Sequence, residues 1–265
     1  MPSFGQPFPN LDTRGSVLQV RKLDRVICWR RPNCCKVVLQ RVAPRVEWLR
    51  VHNALREHLD VIEDMPALRY LYVHVAKSDR YAPDLPFQLQ DLEVVNVQVQ
   101  HLQSVQRLPN LRKLGLDYTG GDPLNVTFPP LAPGHRGLQW LWVALRPAST
   151  VLSLAKAHAA TLQDLRIFCA SEGATPWHFK DLAKGLRQCG LVALRRVVLM
   201  RGSGRYSVKR YQHSAESCRV QKEAIWDNLL TPGPQQAVRV VKVLCEKCDV
   251  CPAYPDLGDF TWEDV

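Results

Sequence analysis

The stretch LRYLYV, residues 68–73, sets apolar Leu68, Leu71 and Val73 against Tyr70 and Tyr72. Side chains of an extended strand point alternately to its two sides, so Leu71 and Val73 share one face and the two tyrosines the other. The same arrangement, apolar–x–x–apolar–x–apolar, returns as LDRVIC from Leu23, VEWLRV from Val46, LEVVNV from Leu92 and LRKLGL from Leu111. It continues as LQWLWV from Leu138, LQDLRI from Leu162, LRRVVL from Leu194 and VRVVKV from Val238. Successive starts are 23, 22, 24, 19, 27, 24, 32 and 44 residues apart. Between the anchors stand polar groups such as Arg25, Arg50, Asn96, Lys113, Asp164 and Arg196, the contrast expected of half-buried strands.

Several intervening segments carry helical signals. NALREHLDVIEDMP (53–66) puts Leu55, Leu59 and Ile62 on one face, and STVLSLAKAHAATL (149–162) opens with Ser149 and Thr150 as capping residues. In TPWHFKDLAKGLRQCG (175–190), Thr175 is the expected N-cap, Pro176 the first helical residue and Gly190 the stop. ESCRVQKEAIWDNLL (216–230) is a further helix, ended by TPGP. No single repeat of this kind can bury its own apolar face, so the stack supplies the core. The strand starts lie too close together for the full crossovers of a doubly wound sheet.

The pattern resembles the leucine-rich repeat, L-x-x-L-x-L followed by a helical return. The resemblance implies an α/β solenoid, a horseshoe with a parallel concave sheet and convex helices, over residues 23–245. On this reading 1–22 is an N-terminal flank and 246–265 an acidic C-terminal tail. The irregular repeat lengths, and cysteines just past some strands, look most like the repeat region of F-box proteins. That likeness implies a protein-recognition scaffold, a substrate-recognition part of a ubiquitin-ligase adaptor. The ligase core itself would be a partner only with an F-box, and residues 1–22 are too short to hold one.

The run VLCEKCDVCP (243–252) spaces Cys245, Cys248 and Cys251 three residues apart. Leucine-rich repeats keep an Asn or Cys near the eighth place, where it bonds backbone in the turn. Asn53, Cys169 and Cys245 fall at that place in the register above, which accounts for Cys245 structurally. Cys248 and Cys251 cannot complete a four-ligand site alone, although Cys218 or His213 could in principle join them. The expectation is therefore no metal and no cofactor.

The residues on the strands' outward face carry the functional expectation. Trp29, Trp48, Arg50, His52, Tyr70, Tyr72, His74, Trp140, Trp142, Arg166, Phe168 and Arg196 form a concave strip of the residue types that dominate binding hot spots. The competing expectation is that a loop such as 201–213 folds over the strip. From Leu92, the same register turns Val94, Asn96 and Gln98 outward. His52 and His74 occupy equivalent places in adjacent repeats and are read as surface histidines, since no carboxylate neighbours them. With no glycine-rich phosphate loop, G-x-S-x-G or H-E-x-x-H in the sequence, the chain is read as no enzyme.

The formal charge of +10 raises nucleic acid as the alternative partner, through concave arginines and stacking aromatics. The basic residues are scattered, however, and protein recognition is favoured. Ten Lys/Arg against three acids in residues 1–50, and six acids against Lys247 in the last twenty, give the chain a polarity that can steer partners. No basic-then-apolar leader and no apolar run near the ~20 residues that span a bilayer are present, so a cytoplasmic or nuclear protein without membrane contact is expected. Nine cysteines at irregular spacing fit reduced thiols.

Overall fold

The computed structural model describes residues 18–22, 25–29, 32–76, 84–118, 122–173, 176–202, 213–230 and 240–252. Among the described residues, ten strands form one sheet: β1 (Leu18–Lys22), β2 (Arg25–Trp29), β3 (Trp48–Ala54), β4 (Tyr70–Val75), β5 (Asp91–Val95), β6 (Lys113–Asp117), β7 (Trp140–Ala144), β8 (Asp164–Phe168), β9 (Arg196–Met200) and β10 (Lys242–Cys245). Their order in the sheet is their order in the chain. Strands β2 to β10 run parallel, and β1 closes one edge as an antiparallel partner of β2. The helices are α1 (Pro32–Val42), α2 (Arg56–Glu63), α3 (Val99–Val105), α4 (Ala148–Ala157), α5 (Leu182–Gln188) and α6 (Ala215–Leu230). The architecture is thus α/β and solenoid-like, each parallel strand lying beside the one before it.

The sixth place of each repeat explains the stacking. Parallel pairing puts Cys28, Val51, Val73, Val94, Leu116, Val143, Ile167, Leu199 and Cys245 in one column, none more than 2% exposed. Full burial of an aliphatic side chain is worth about 1.5–3 kcal/mol, so each strand is held by apolar contacts to both neighbours as well as by its ladder. Helix residues complete the layer, among them Leu59 and Ile62 of α2 and Val151 and Leu154 of α4. Gly185 lets α5 approach α4, since a Cβ there would lie 2.3 Å from a methyl of Leu152. Gly190, at φ +63°, ends α5 as expected.

Two registers differ from the sequence reading. Asp91 pairs with Lys113 and with Tyr70, so the fourth repeat begins at Leu89 and reads LQDLEV. Asp91, Glu93 and Val95, not Val94, Asn96 and Gln98, occupy the outward places. Both frames fit the apolar pattern because the segment from Leu89 to Val99 is apolar at 89, 92, 94, 95, 97 and 99. Packing selects the frame in which Leu89, Leu92, Val94 and Val97 are all buried and Asp91 and Glu93 stay partly in water. Likewise Lys242 pairs with Arg196, so the last repeat begins at Val240, two residues later than read. Cys245 therefore sits at the sixth place, in the core column, and not at the turn.

The flanks and caps also differ. Part of the 1–22 flank is strand β1, and Glu246 and Asp249 of the acidic tail bond the main chain at the far edge: Arg201 and Gly202 N–H donate to Glu246 Oε2 (3.0 and 3.1 Å), and Cys245 N–H to Asp249 Oδ2 (2.7 Å). Ser149 and Thr150 lie inside the first turn of α4, after Pro147. Thr150 Oγ1 is spent on the neighbouring segment, donating to Leu124 O at 2.7 Å and accepting from Val126 N at 3.2 Å. Helix α5 starts at Leu182, because Trp177 and Phe179 are first buried, Trp177 edge-on to Phe168 at 4.9 Å. Thr175 lies outside the described residues.

The register makes a sharp expectation. Leu89→Ala should cost about 2–5 kcal/mol of stability in urea denaturation, as for other buried leucines. Asp91→Ala should cost less than about 1 kcal/mol, the scale of a partly exposed ion pair. Equal small losses would contradict the frame.

Candidate functional site: the sheet face opposite the helices

Parallel register forces the outward residues into three rows, each member beside its equivalent on the next strand, about 4.8 Å away. The first row runs Trp48, Tyr70, Asp91, Lys113, Trp140, Asp164 and Arg196. Trp48 and Tyr70 stack at 4.9 Å with planes 7° apart. Lys113 donates to Asp91 at 3.0 Å, and Arg196 pairs with Asp164 at 2.6 Å. The second row runs Ile27, Arg50, Tyr72, Glu93, Gly115, Trp142, Arg166 and Val198. The Arg50 guanidinium lies over the Tyr72 ring at 4.8 Å and the Trp48 ring at 5.5 Å. Arg166 sits 3.4 Å from Asp164, 5.7 Å from the centre of the Trp140 ring, and donates to Pro252 O at 3.3 Å.

Every expected strip residue whose side chain is described lies on this face, but the aromatic ones do not form an open strip. Trp48, Tyr70, Tyr72, Trp140, Trp142 and Phe168 are all buried, as are His52 and Arg166. Ring against ring, and ring against guanidinium, the rows cover much of their own apolar surface, and Trp177 covers Phe168. The side chain of Trp29 lies outside the described residues. The groups that still reach water are polar: Arg50, His74, Asp91, Glu93, Lys113 and Arg196 are half-buried. A groove at the strand entrances is lined by Lys113, Gln139, Trp140, Asp164, Arg195 and Arg196, with Arg166 at its floor.

The third row contains His52, His74, Asp117 and Phe168. The His52 ring lies 5.1 Å from that of Tyr72, and Asn96 Nδ2 donates to His74 Nε2 at 2.9 Å and to Val75 O at 3.0 Å. Asn53 and Asn96 share the eighth place of their repeats, both with left-handed backbone at φ 55° and 60°. The sequence reading found Asn53 there and missed Asn96, because its frame started three residues late.

A second grouping lies at the C-terminal edge. Ligand-capable atoms of His213, Cys218, Cys245 and Cys248 all fall within 4.8 Å of one another. The sequence reading assigned Cys245 a structural place and offered Cys218 or His213 as additions to Cys248 and Cys251; the structure groups Cys245, and not Cys251, with the other three. The signal was nonetheless present: His213 and Cys218 are five residues apart, and Cys245 and Cys248 three. No protein-family model and no curated protein matches this chain.

Burial sets the acid response. Desolvation, helped by Arg50 and His74, pushes His52 down to about 4, and desolvation with nearby His135 does the same to His158. Both stay neutral in the folded chain, so their contribution is complete above the ordinary 6.5 and is lost as pH falls toward 4. Asp117 works the other way: burial, then the Glu93 carboxylate, push it up to about 6. Its ionisation in the core costs stability above that pH, and the cost is relieved as pH falls below it. Asp117→Asn should therefore raise stability at neutral pH by about 1–2 kcal/mol. It should also steepen the loss between pH 6 and 4, because the opposing proton uptake is gone. Denaturation midpoints across pH 4–8 measure both effects.

Proposed function

We propose that this chain is a leucine-rich-repeat solenoid that binds a partner protein on its concave sheet face and performs no catalysis. The repeat assignment is supported by the unbroken chain-order sheet and by the left-handed asparagines at equivalent places. Asn96 reaches back to the carbonyl of Val75 in the preceding repeat, the backbone-bonding role such a residue has in this class. By the same resemblance, the proposed task is to present a substrate protein to a ubiquitin ligase.

The observation that carries the recognition reading is the groove at the strand entrances. It offers the half-buried cations Lys113 and Arg196, each paired with a carboxylate, Asp91 or the buried Asp164, over the buried ring of Trp140. Fixed charges of mixed sign on a rigid sheet suit a protein surface carrying the complementary pattern. They suit nucleic acid poorly, because Asp91, Glu93 and Asp164 stand in the rows where phosphates would have to lie. Arg166, expected to face a partner, is held by Asp164 and Pro252.

Co-purification from native lysate tests this with Lys113→Glu/Arg195→Glu beside wild type. Arg219→Ala serves as a control on exposed α6. Proteins retained by wild type and control should fall at least about ten-fold with the double variant, the loss of roughly 1.4 kcal/mol. An unchanged set would overturn the groove as the site. Recovery of RNA alone, with binding that collapses between 50 and 200 mM salt, would favour the nucleic-acid alternative.

A further inference from the structure

We propose that His213, Cys218, Cys245 and Cys248 bind one structural zinc ion that fastens the last strand to α6. The inference stands on the C-terminal edge alone and is independent of the recognition reading. His213 Nε2 lies 3.5 Å from Cys245 Sγ and 3.3 Å from Cys248 Sγ, and all four ligand atoms lie within 4.8 Å of one another. A tetrahedral ion with Zn–S of about 2.3 Å and Zn–N of about 2.0–2.1 Å places its ligand atoms roughly 3.5–3.8 Å apart. The four atoms therefore need to move little to enclose a single ion. The spacings, His-x4-Cys and Cys-x2-Cys, lie within the range used by paired halves of structural zinc sites.

Local structure aims each ligand. Cys218 lies in the first turn of α6, its N–H donating to Ser214 O at 3.0 Å, and His213 immediately precedes that turn. Cys245 ends β10, and the N–H groups of Cys248 and Asp249 both donate to its carbonyl, at 3.2 and 3.0 Å, curling the chain so that Cys248 returns. The Asp249 carboxylate ties this turn to α6 by accepting from Cys245 N at 2.7 Å and Lys222 Nζ at 2.9 Å.

A second observation points to negative charge on the sulfurs. Arg201 is 0% exposed, and its guanidinium donates to Cys169 O, Cys169 Sγ, Cys218 Sγ and Gln221 Oε1, none of them a carboxylate. A buried cation is costly unless an anion compensates it. Three thiolates and an imidazole on Zn²⁺ carry a net charge of −1, and Arg201 Nη2 stands 3.4 Å from one of those sulfurs, Cys218 Sγ. Three soft sulfur donors and one imidazole select zinc over hard cations. Four protein ligands leave no open position, which makes the site structural and not hydrolytic.

The ion would act at a sparsely packed edge. β10 is a four-residue edge strand with Lys242 exposed and Val243 and Leu244 half-buried. Helix α6 buries only Cys218 and Ile225 among its apolar residues. Zinc would staple these two elements together and close the exposed end of the stack, the role that capping repeats otherwise fill.

Elemental analysis of protein purified without chelator is the test, with Co²⁺ titration of the stripped protein as a second readout. The expected result is about one zinc per chain and tetrahedral thiolate bands with Co²⁺. Cys248→Ser alters an exposed thiol outside the core, so it should stay folded by circular dichroism while its zinc affinity falls at least about ten-fold. Cys189→Ser, outside the cluster, should keep full metal. Wild-type protein without zinc and without the Co²⁺ bands would overturn the proposal. So would full zinc retention by Cys248→Ser and His213→Ala, or a Cys245–Cys248 disulfide in metal-free native protein.

Discussion

Parallel pairing in chain order is the constraint on which everything else depends. Once each strand lies beside its predecessor in register, the sixth place becomes a single dry column from Cys28 to Cys245. A one-residue shift of any strand would turn the apolar side chain of that column outward and put an outward-facing residue in its place, a charged one at Arg50 or Glu93. The helices follow from this, since their buried leucines and valines need only meet the column from one side. The two ends are the exceptions. One is closed by the antiparallel β1, and the other is left with the short β10 and α6.

The same register governs the opposite face, where it acts on chemistry as well as packing. Equivalent residues become neighbours, so Trp48 meets Tyr70, Arg50 meets Tyr72, and Lys113 meets Asp91. Aromatic neighbours stack and hide one another, whereas the Lys113–Asp91 pair remains partly hydrated. The consequence is a face whose rings form a floor and whose charges form the accessible layer. His52 resists protonation and Asp117 resists losing its proton because both are buried on that face.

At the C-terminal edge, long connections bring together two short pairs, His213 with Cys218 and Cys245 with Cys248, that no local pattern joins to each other. Arg201 follows β9, His213 and Cys218 begin α6, and Cys245 and Cys248 follow much later in the chain. Their meeting depends on α6 packing against both α5 and β10. A buried guanidinium beside sulfur is then an electrostatic feature of the assembled edge and of none of its segments.

The repeated apolar places, the strands they build and most helix positions were legible in the sequence, because burial of Leu71, Leu114 or Leu165 leaves a periodic mark that needs no knowledge of the partner strand. The frame of the repeat around Leu92 was not, because residues 89–99 satisfy the pattern twice and only pairing with Tyr70 and Lys113 selects one frame. The start of the last repeat was also misread by two residues; the identities of the outward residues were readable for β2–β4 and β6–β9, yet their exposure was not. Tyr72 and Phe168 look like open contact residues until the rings beside them are in place. By itself, then, the sequence determined the strand period and which residue types share a face. The tertiary structure alone decided which of those residues meet water and which distant cysteines meet a histidine, because both depend on distances across the chain that periodicity does not encode.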